Sequence, residues 1–110
     1  LYVFEAPIDL LSYISLHPEN WQEHNYVACC GTSSIPMLEM VRQFSQLRQV
    51  YLCLDNDDAG QAASERMAAL LKKHGLNAVR LMPQRKDWND DLKAEQENNM
   101  ERSELCQTFC

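Results

Sequence analysis

The fold is decided by the stretch Val50-Tyr-Leu-Cys-Leu54-Asp55-Asn-Asp57-Asp58-Ala-Gly60, in which an uncharged strand-like run is followed directly by an acidic turn. Residues 50–54 lack charge altogether, which is typical of a strand that is buried on both faces of a sheet. A helical pattern follows from about Ala59 to His74, and Gly75 suits the residue just beyond a helix. The stretch therefore predicts one strand–turn–helix unit of an α/β fold.

The same alternation of strand and helix extends in both directions from this unit. Short apolar runs predict three further strands, at residues 1–4, 26–30 and 77–82. Helices are predicted from Pro7, from about Pro36 to Ser45, and, as a short helix, from Trp88 onward. The order β-α-β-α-β-α-β predicts a Rossmann-like, four-stranded, mostly parallel sheet that is flanked by helices.

Several apolar side chains are expected to pack in the interior. On the first helix, one apolar face is predicted from the spacing of four residues: Ile8, Leu11, Ile14 and Leu16. Near the last strand, three residues are expected in the core: Leu76, Val79 and Leu81. Trp21 and Trp88 are interpreted as packing anchors rather than as platforms for base stacking, although the position of Trp88 beside the proposed metal edge fits either role.

The size and ends of the chain indicate one domain from a longer protein. A length of 110 residues suits a single core, and we expect a domain at residues 1–92 followed by a helical or disordered tail at 93–110. The first residue, Leu1, already lies in an apolar run without a preceding Met, so we interpret the sequence as an excised segment. No signal peptide or membrane span is visible, and a cytoplasmic location is expected.

The five cysteines do not form a disulfide pattern, because their number is odd and two of them are adjacent. Cys106 and Cys110 alone are a weak indication of zinc, and reduced buried thiols are the simpler interpretation. The net charge of −6 has the wrong sign for phosphate contacts. Acidic residues gathered around a metal ion, or basic neighbouring domains, would remove that conflict.

The acidic turn is the main candidate for a functional site. Asp55 and Asp57 follow a buried strand one residue apart, and such close carboxylates repel each other unless a cation lies between them. Oxygen ligands of this kind suit Mg²⁺, whereas turn formation and helix capping explain the same residues equally well. A calcium-binding EF-hand is excluded, because Arg66 stands where that loop needs a glutamate.

Two more acidic positions fall at the same predicted sheet edge. Glu5 ends the first strand, where it suits a general base or a metal ligand. Asp87 follows the last strand and can complete a metal site, while Arg85 or Lys86 can meet a phosphate. The alternative for the neighbouring acids, at 90 and 91, is an ordinary acidic start of a helix.

These motifs together resemble the Toprim domain, the catalytic module of bacterial primases, of type IA and type II topoisomerases, and of some nucleases. Phe4-Glu-Ala-Pro-Ile-Asp-Leu-Leu-Ser12 is similar to the primase motif E-G-x-x-D-x-L-S, and Asp55-Asn-Asp-Asp-Ala-Gly60 to D-x-D-x-A-G. Cys30-Gly-Thr32 resembles the turn after the second strand, and Lys86-Asp-Trp-Asn-Asp90 the K-D-x-N-D variant of mobile-element primases. The resemblance covers roughly residues 1–92.

The resemblance implies phosphoryl transfer on nucleic acid with Mg²⁺ or Mn²⁺ as cofactor. Glu5 would be the catalytic acid or base, and the metal ligands would be Asp55, Asp57 and Asp87. Contacts to nucleic acid or phosphate are expected from Gly31, Thr32 and Lys86. DNA or RNA, nucleotides and a helicase or other replication protein are the implied partners of the full-length protein, with no membrane partner.

Two positions depart from the family pattern. Ala6 stands where the family usually has glycine, and Asn89 where many cellular primases carry a further aspartate. The sequence also lacks the other regions of a cellular primase, so we expect this segment alone to be inactive in primer synthesis.

Other functions remain open at this level. A Toprim nuclease and a non-catalytic Toprim-like module that binds nucleic acid or protein both fit the residues. A topoisomerase is less favoured, because the four tyrosines lie in expected strand or helix positions. A phosphate-accepting receiver domain is also less favoured, because its paired acids follow the first strand and not the third.

Overall fold

The computed structural model describes the backbone of residues 1–109 and the side chains of residues 1–103. Within the described residues, four strands alternate with four helices, and a 3-10 turn lies at Trp21–Glu23. The elements in chain order are β1 (Tyr2–Phe4), α1 (Pro7–Leu16), β2 (Tyr26–Ala28), α2 (Ile35–Gln43), β3 (Gln49–Leu52), α3 (Asp58–Lys73), β4 (Asn77–Arg80) and α4 (Trp88–Phe109).

The four strands form one fully parallel sheet in the order β2-β1-β3-β4. Tyr2 at the start of β1 pairs in register with Tyr26 of β2 and Tyr51 of β3. The predicted α/β fold is thus confirmed. The chain moves outward from β1 to one side and then returns to the other, so the strand order reverses between β1 and β3, where open parallel sheets form a crevice at their carboxyl ends.

Each face of the sheet packs against two helices. One face is covered by α2 and α3, and its core includes Val3, Val50, Met37, Met67 and Leu71. The other face is covered by α1 and the start of α4, around Phe4, Cys53 and the buried Trp88. Helices on both faces explain why the strands carry nearly continuous apolar residues.

The first helix is rotated away from its predicted orientation. Ile8 and Leu11 are 54% and 60% exposed, whereas Asp9 is only 4% exposed and Ser12 is also buried. The physical reason is the start of α4, which docks on this side of α1: the backbone N–H of Asn89 donates to Asp9 Oδ1 at 3.2 Å. The predicted apolar face is therefore wrong for its first two members.

Two further packing predictions are wrong. Val79 is 43% exposed, because β4 is an edge strand whose side chains alternate between exposed and half-buried positions. Trp21 is 41% exposed in the 3-10 turn, where its backbone carbonyl accepts a hydrogen bond from the Tyr26 hydroxyl at 2.9 Å. The predictions for Leu76 and Trp88 are confirmed, since both side chains are buried.

Three strands end two residues earlier than predicted, at Ala28, Leu52 and Arg80. The chain leaves the regular ladder at these carboxyl ends and continues as loops that hold the candidate site. After β2, Cys30 and Gly31 adopt positive φ angles of 55° and 138°, and they turn the chain toward α2. The shortening of these three strands therefore lies at the carboxyl edge of the sheet, which carries the candidate site.

The last helix, α4, is longer than the short helix that the sequence predicts. It continues without a break past residue 92 to Phe109, and the division into residues 1–92 and 93–110 stays a prediction. The side chain of Cys106 and all of Cys110 lie outside the described residues. Among the described helices, none combines the length and hydropathy that a bilayer crossing requires.

Candidate metal centre

Side chains from β4 and α4 bind the carbonyl groups of the loop after β3. Three successive carbonyls accept hydrogen bonds: Cys53 O from Trp88 Nε1 at 3.0 Å, and those of Leu54 and Asp55 from the guanidinium of Arg80 at 2.7 and 2.8 Å. Because consecutive carbonyls are fixed, the backbone that carries the Asp55 side chain has a defined direction.

Helix α3 begins directly against this loop. Asp57 is its N-cap residue, and Asp57 Oδ1 accepts a hydrogen bond from the Gly60 N–H at 2.7 Å. A Cβ atom at Gly60 would lie 2.0 Å from the carbonyl oxygen of Asp55. Only glycine therefore allows the first turn of α3 to approach the loop this closely.

Three carboxylates from three separate segments meet at this edge. Asp9 comes from α1, Asp55 from the loop after β3, and Asp87 from the residue before α4, and one oxygen from each lies within 4.8 Å of the others. The backbone N–H of Asp90 donates to Asp87 Oδ1 at 2.8 Å, which fixes the Asp87 side chain at the start of α4. The cluster is thus built from rigid helix ends and a braced loop.

The electrostatics of the cluster oppose full ionisation. Burial, with repulsion from Glu5, Asp9 and Asp87, raises the pKa of Asp55 from 3.8 to about 7. Burial also raises the pKa of Asp9, and repulsion from Asp87 adds to the effect, while the hydrogen bond from the Asn89 N–H opposes it. Asp55 Oδ1 is buried and has no hydrogen-bond partner among the described residues.

The donor set fits a hard divalent cation. Mg²⁺ binds oxygen at about 2.0–2.1 Å, so two ligands on opposite sides of the ion lie about 4.2 Å apart. Of three ligands on one ion, only one pair can lie opposite each other and the other pairs lie about 3 Å apart, so the three carboxylate oxygens, which lie within 4.8 Å of one another, would close around the ion by side-chain rotation. A cation would also give the orphaned Asp55 Oδ1 a partner and remove the repulsion that raises the pKa of Asp55.

Glu5 lies beside the cluster at the end of β1. Its Oε1 accepts a hydrogen bond from the Asp55 backbone N–H at 3.3 Å. Burial raises the pKa of Glu5, and repulsion from Asp57 and Asp9 adds to the effect, while the bond from the Asp55 N–H counteracts it. Glu5 therefore stands next to the three carboxylates with a proton affinity above that of an ordinary glutamate.

The sequence profile of the Toprim-like family matches residues 2–92, which include every residue of this cluster. This chain belongs to the Toprim-like family. The fold of the Toprim-like domain is similar to that of the primase fragment of the bacteriophage T7 primase-helicase protein, with a TM-score of 0.64 and 25% sequence identity. That match covers 92% of this chain and 42% of the phage chain.

Two curated bacterial proteins are also similar to the Toprim-like domain. An uncharacterized protein of Mycoplasma pneumoniae is 38% identical over 71 residues, which cover 62% of this chain and 33% of that protein. An uncharacterized protein of Bacillus anthracis is 28% identical over 108 residues, covering 84% of this chain and 31% of that protein. The Toprim-like domain thus spans about a third of the length of these relatives.

The structure brings some predicted site residues together and leaves others apart. Asp55, Asp87 and Glu5 converge as the sequence predicts, whereas Asp57 is not among the three carboxylates of the cluster and caps α3. A metal-binding role for Asp57 stays a prediction beside this capping role.

The predicted phosphate contacts lie on the loops around the cluster. Lys86 is exposed, and its backbone carbonyl accepts a hydrogen bond from the Asn56 N–H at 2.7 Å. Gly31 is exposed, and the carbonyl of Thr32 accepts a hydrogen bond from Arg66 Nη2 at 2.6 Å. Arg85 is paired with Asp91 at 3.7 Å. Phosphate contacts by Gly31, Thr32 and Lys86 stay predictions.

Sequence reasoning missed Asp9 as a site residue. The signal was present in the stretch from Phe4 to Ser12, where Asp9 matches the aspartate of the primase-like motif. The apolar spacing of α1 predicted a different buried face, so the position of Asp9 toward the cluster became visible only with the docking of α4. Arg80 left no such signal, because its partners are backbone carbonyls.

Proposed function

We propose that this Toprim-like domain is the metal-binding, phosphoryl-transfer module of a primase-like nucleotidyltransferase. Its ligands to Mg²⁺ or Mn²⁺ would be Asp9, Asp55 and Asp87, with Asp57 available through its second carboxylate oxygen. The single observation that carries the proposal is the convergence of three carboxylates, one of which, that of Asp55, has a buried oxygen without a hydrogen-bond partner among the described residues. Such a cluster is costly without a cation, and it lies where open α/β sheets bind ligands.

A bound divalent ion would neutralise the negative charge that develops on the transferring phosphate. Glu5 would serve as the base that accepts the proton of a primer-like 3′-hydroxyl. The hydroxyl oxygen then forms a bond to the α-phosphorus of a nucleoside triphosphate, and the bond to the pyrophosphate leaving group breaks. The raised pKa of Glu5 makes it a better proton acceptor than an ordinary glutamate.

The likeness to the T7 primase fragment supports nucleic acid and nucleotides as partners of the full-length protein. That phage protein is a primase-helicase, which supports a helicase or other replication protein as a further partner. The net charge of −6 is unfavourable for nucleic acid, so most phosphate contacts would come from neighbouring domains, with Lys86, Gly31 and Thr32 contributing at the site.

Metal titration tests the proposal on this chain itself. We expect the wild type to bind Mn²⁺ and Asp55→Asn to lose this binding, as measured by electron paramagnetic resonance or calorimetry. The matched control is Asp58→Asn, which removes the same charge from an exposed position one residue beyond the Asp57 cap. Equal binding by wild type and Asp55→Asn would refute the cluster as the metal site.

Activity is tested in the full-length protein, with nucleotide incorporation and strand cleavage assayed in parallel. We expect Glu5→Gln to abolish incorporation while Mn²⁺ binding persists. A non-catalytic module is the second candidate, and it is favoured by Asn89, whose amide stands where many cellular primases carry a carboxylate. Full activity of Glu5→Gln would support that candidate, and metal-dependent cleavage without incorporation would indicate a nuclease.

A further inference from the structure

We propose that Arg80 is a positioning residue that sets the direction of the Asp55 carboxylate. Its guanidinium binds the carbonyls of Leu54 and Asp55, which flank the α-carbon that carries this side chain. Arg80 is the last residue of β4, and its guanidinium donates to Leu54 O at 2.7 Å and to Asp55 O at 2.8 Å. The proposal rests on the proposed function in so far as the Asp55 side chain binds a metal ion.

The grip depends on the shape of the guanidinium group. Its two terminal nitrogens lie in one rigid plane, so one side chain can bond two successive carbonyls at once. A lysine at the same position carries the same charge, but its single nitrogen cannot hold both carbonyls in the same geometry. The loop would then keep its charge balance and lose part of its orientation.

The Asp55 carbonyl is confined from two sides. Arg80 Nη2 bonds it at 2.8 Å, and the α-carbon of Gly60 approaches it so closely that an added Cβ would lie 2.0 Å away. The next residue, Asn56, is held in turn by the carbonyls of Lys86 and Pro83, at 2.7 and 3.2 Å. The loop is thus fixed between β4, α3 and the segment before α4.

Structural stability alone does not explain this choice of residue. Arg80 Nε is buried without a hydrogen-bond partner among the described residues, and such an unsatisfied donor is a cost to folding. The positive charge relieves repulsion among Glu5, Asp55 and Asp57 in the metal-free protein, but a lysine would supply the same charge, and that charge would weaken the binding of a cation. An arginine at this position is therefore best explained by its two-point grip on the loop.

The chain offers a matched control in Arg48. Arg48 also donates to two backbone carbonyls, those of Ser45 and Leu47 at 2.7 and 3.0 Å, but through the single nitrogen Nη1. Arg48 is exposed and precedes β3, so it lies at the opposite end of the strand from Asp55. Arg48→Lys therefore makes the same substitution at an arginine that bonds backbone carbonyls far from the cluster.

The first measurement is amide hydrogen exchange by NMR in the metal-free protein. We expect Arg80→Lys to accelerate exchange at Asp55 and Asn56 by about tenfold or more, because the loop opens more often. Arg48→Lys should leave both rates unchanged, and urea unfolding of each variant identifies any general loss of stability. Unchanged exchange at Asp55 and Asn56 in Arg80→Lys would overturn the proposal.

The second measurement is Mn²⁺ affinity. Positioning predicts that Arg80→Lys and Arg80→Gln both weaken binding, by about tenfold, as is typical of residues that orient ligands. A purely electrostatic role predicts unchanged affinity in Arg80→Lys and tighter binding in Arg80→Gln, and either result would overturn the proposal. If the wild type binds no Mn²⁺, the proposed function fails, while the exchange rates still decide whether Arg80 holds the loop.

Discussion

Replacing Gly60 by alanine tests the contact between α3 and the Asp55 loop. Within a helix, a change from glycine to alanine ordinarily stabilises a protein by about 0.5–1 kcal/mol. Here the new Cβ would lie 2.0 Å from the carbonyl oxygen of Asp55 and 2.9 Å from its carbon. Because these are backbone atoms gripped by Arg80, we expect the sign to reverse, with a net destabilisation of about 1–3 kcal/mol from overpacking.

The matched control is Gly75→Ala at the other end of α3. Gly75 has open space around its missing Cβ, but its φ of +74° costs alanine about 1–2 kcal/mol. Urea unfolding of the metal-free proteins should show a loss of stability in both variants, whereas Mn²⁺ titration should show weakened binding in Gly60→Ala alone. A Gly60→Ala protein with wild-type stability and wild-type Mn²⁺ affinity would refute the proposed close approach.

Three further predictions concern the cluster and its supports. Asp55→Asn should stabilise the metal-free domain at pH 8 and have little effect at pH 4. Because the pKa of Asp55 is raised in the folded state, the wild type loses stability as pH rises from near 3.8 through about 7. Urea unfolding of both proteins across this pH range tests the prediction. Trp88→Phe should cost about 1–3 kcal/mol by leaving the Cys53 carbonyl unsatisfied, whereas Trp21→Phe at an exposed position should change the unfolding free energy by less than about 0.5 kcal/mol. Asp57→Ser should keep the helix cap and thus the stability of the domain, because serine is also a good N-cap residue. Lost Mn²⁺ affinity in this variant would assign Asp57 a metal-binding role, and unchanged affinity would leave it as a cap only.

The fold was predictable from the sequence because strand and helix patterns alternate and are separated by recognisable turn and helix-capping residues. The uncharged run at residues 50–54 and the acidic turn after it define one unit, and the same pattern recurs along the chain. Strand lengths were less predictable, because Leu54 and Leu81 continue the apolar pattern beyond the regular ladder. The Leu54 carbonyl accepts a hydrogen bond from Arg80, a partner that no local pattern indicates, whereas the Leu81 N–H makes the last ladder bond, to the Leu52 carbonyl.

The candidate site was predictable to the extent that its residues end strands. Glu5 and Asp55 follow β1 and β3, and the carboxyl ends of parallel strands meet at one edge whatever the side chains do. Asp9 lies on a helix, where its direction depends on rotation about the helix axis. That rotation is decided by the docking of α4, through the contact from Asn89, and not by residues within α1.

The rotation of α1 is itself informative about function. Full burial of an isoleucine or leucine side chain is worth about 1.5–3 kcal/mol, yet α1 leaves more than half of Ile8 and Leu11 exposed. In exchange it buries Asp9 beside two other acids that raise the pKa of Asp55. Neither change favours folding of the metal-free chain. An arrangement that gives up apolar burial and gathers negative charge at one point is typical of a cation site. The free energy that it costs the metal-free fold is recovered only when the ion binds.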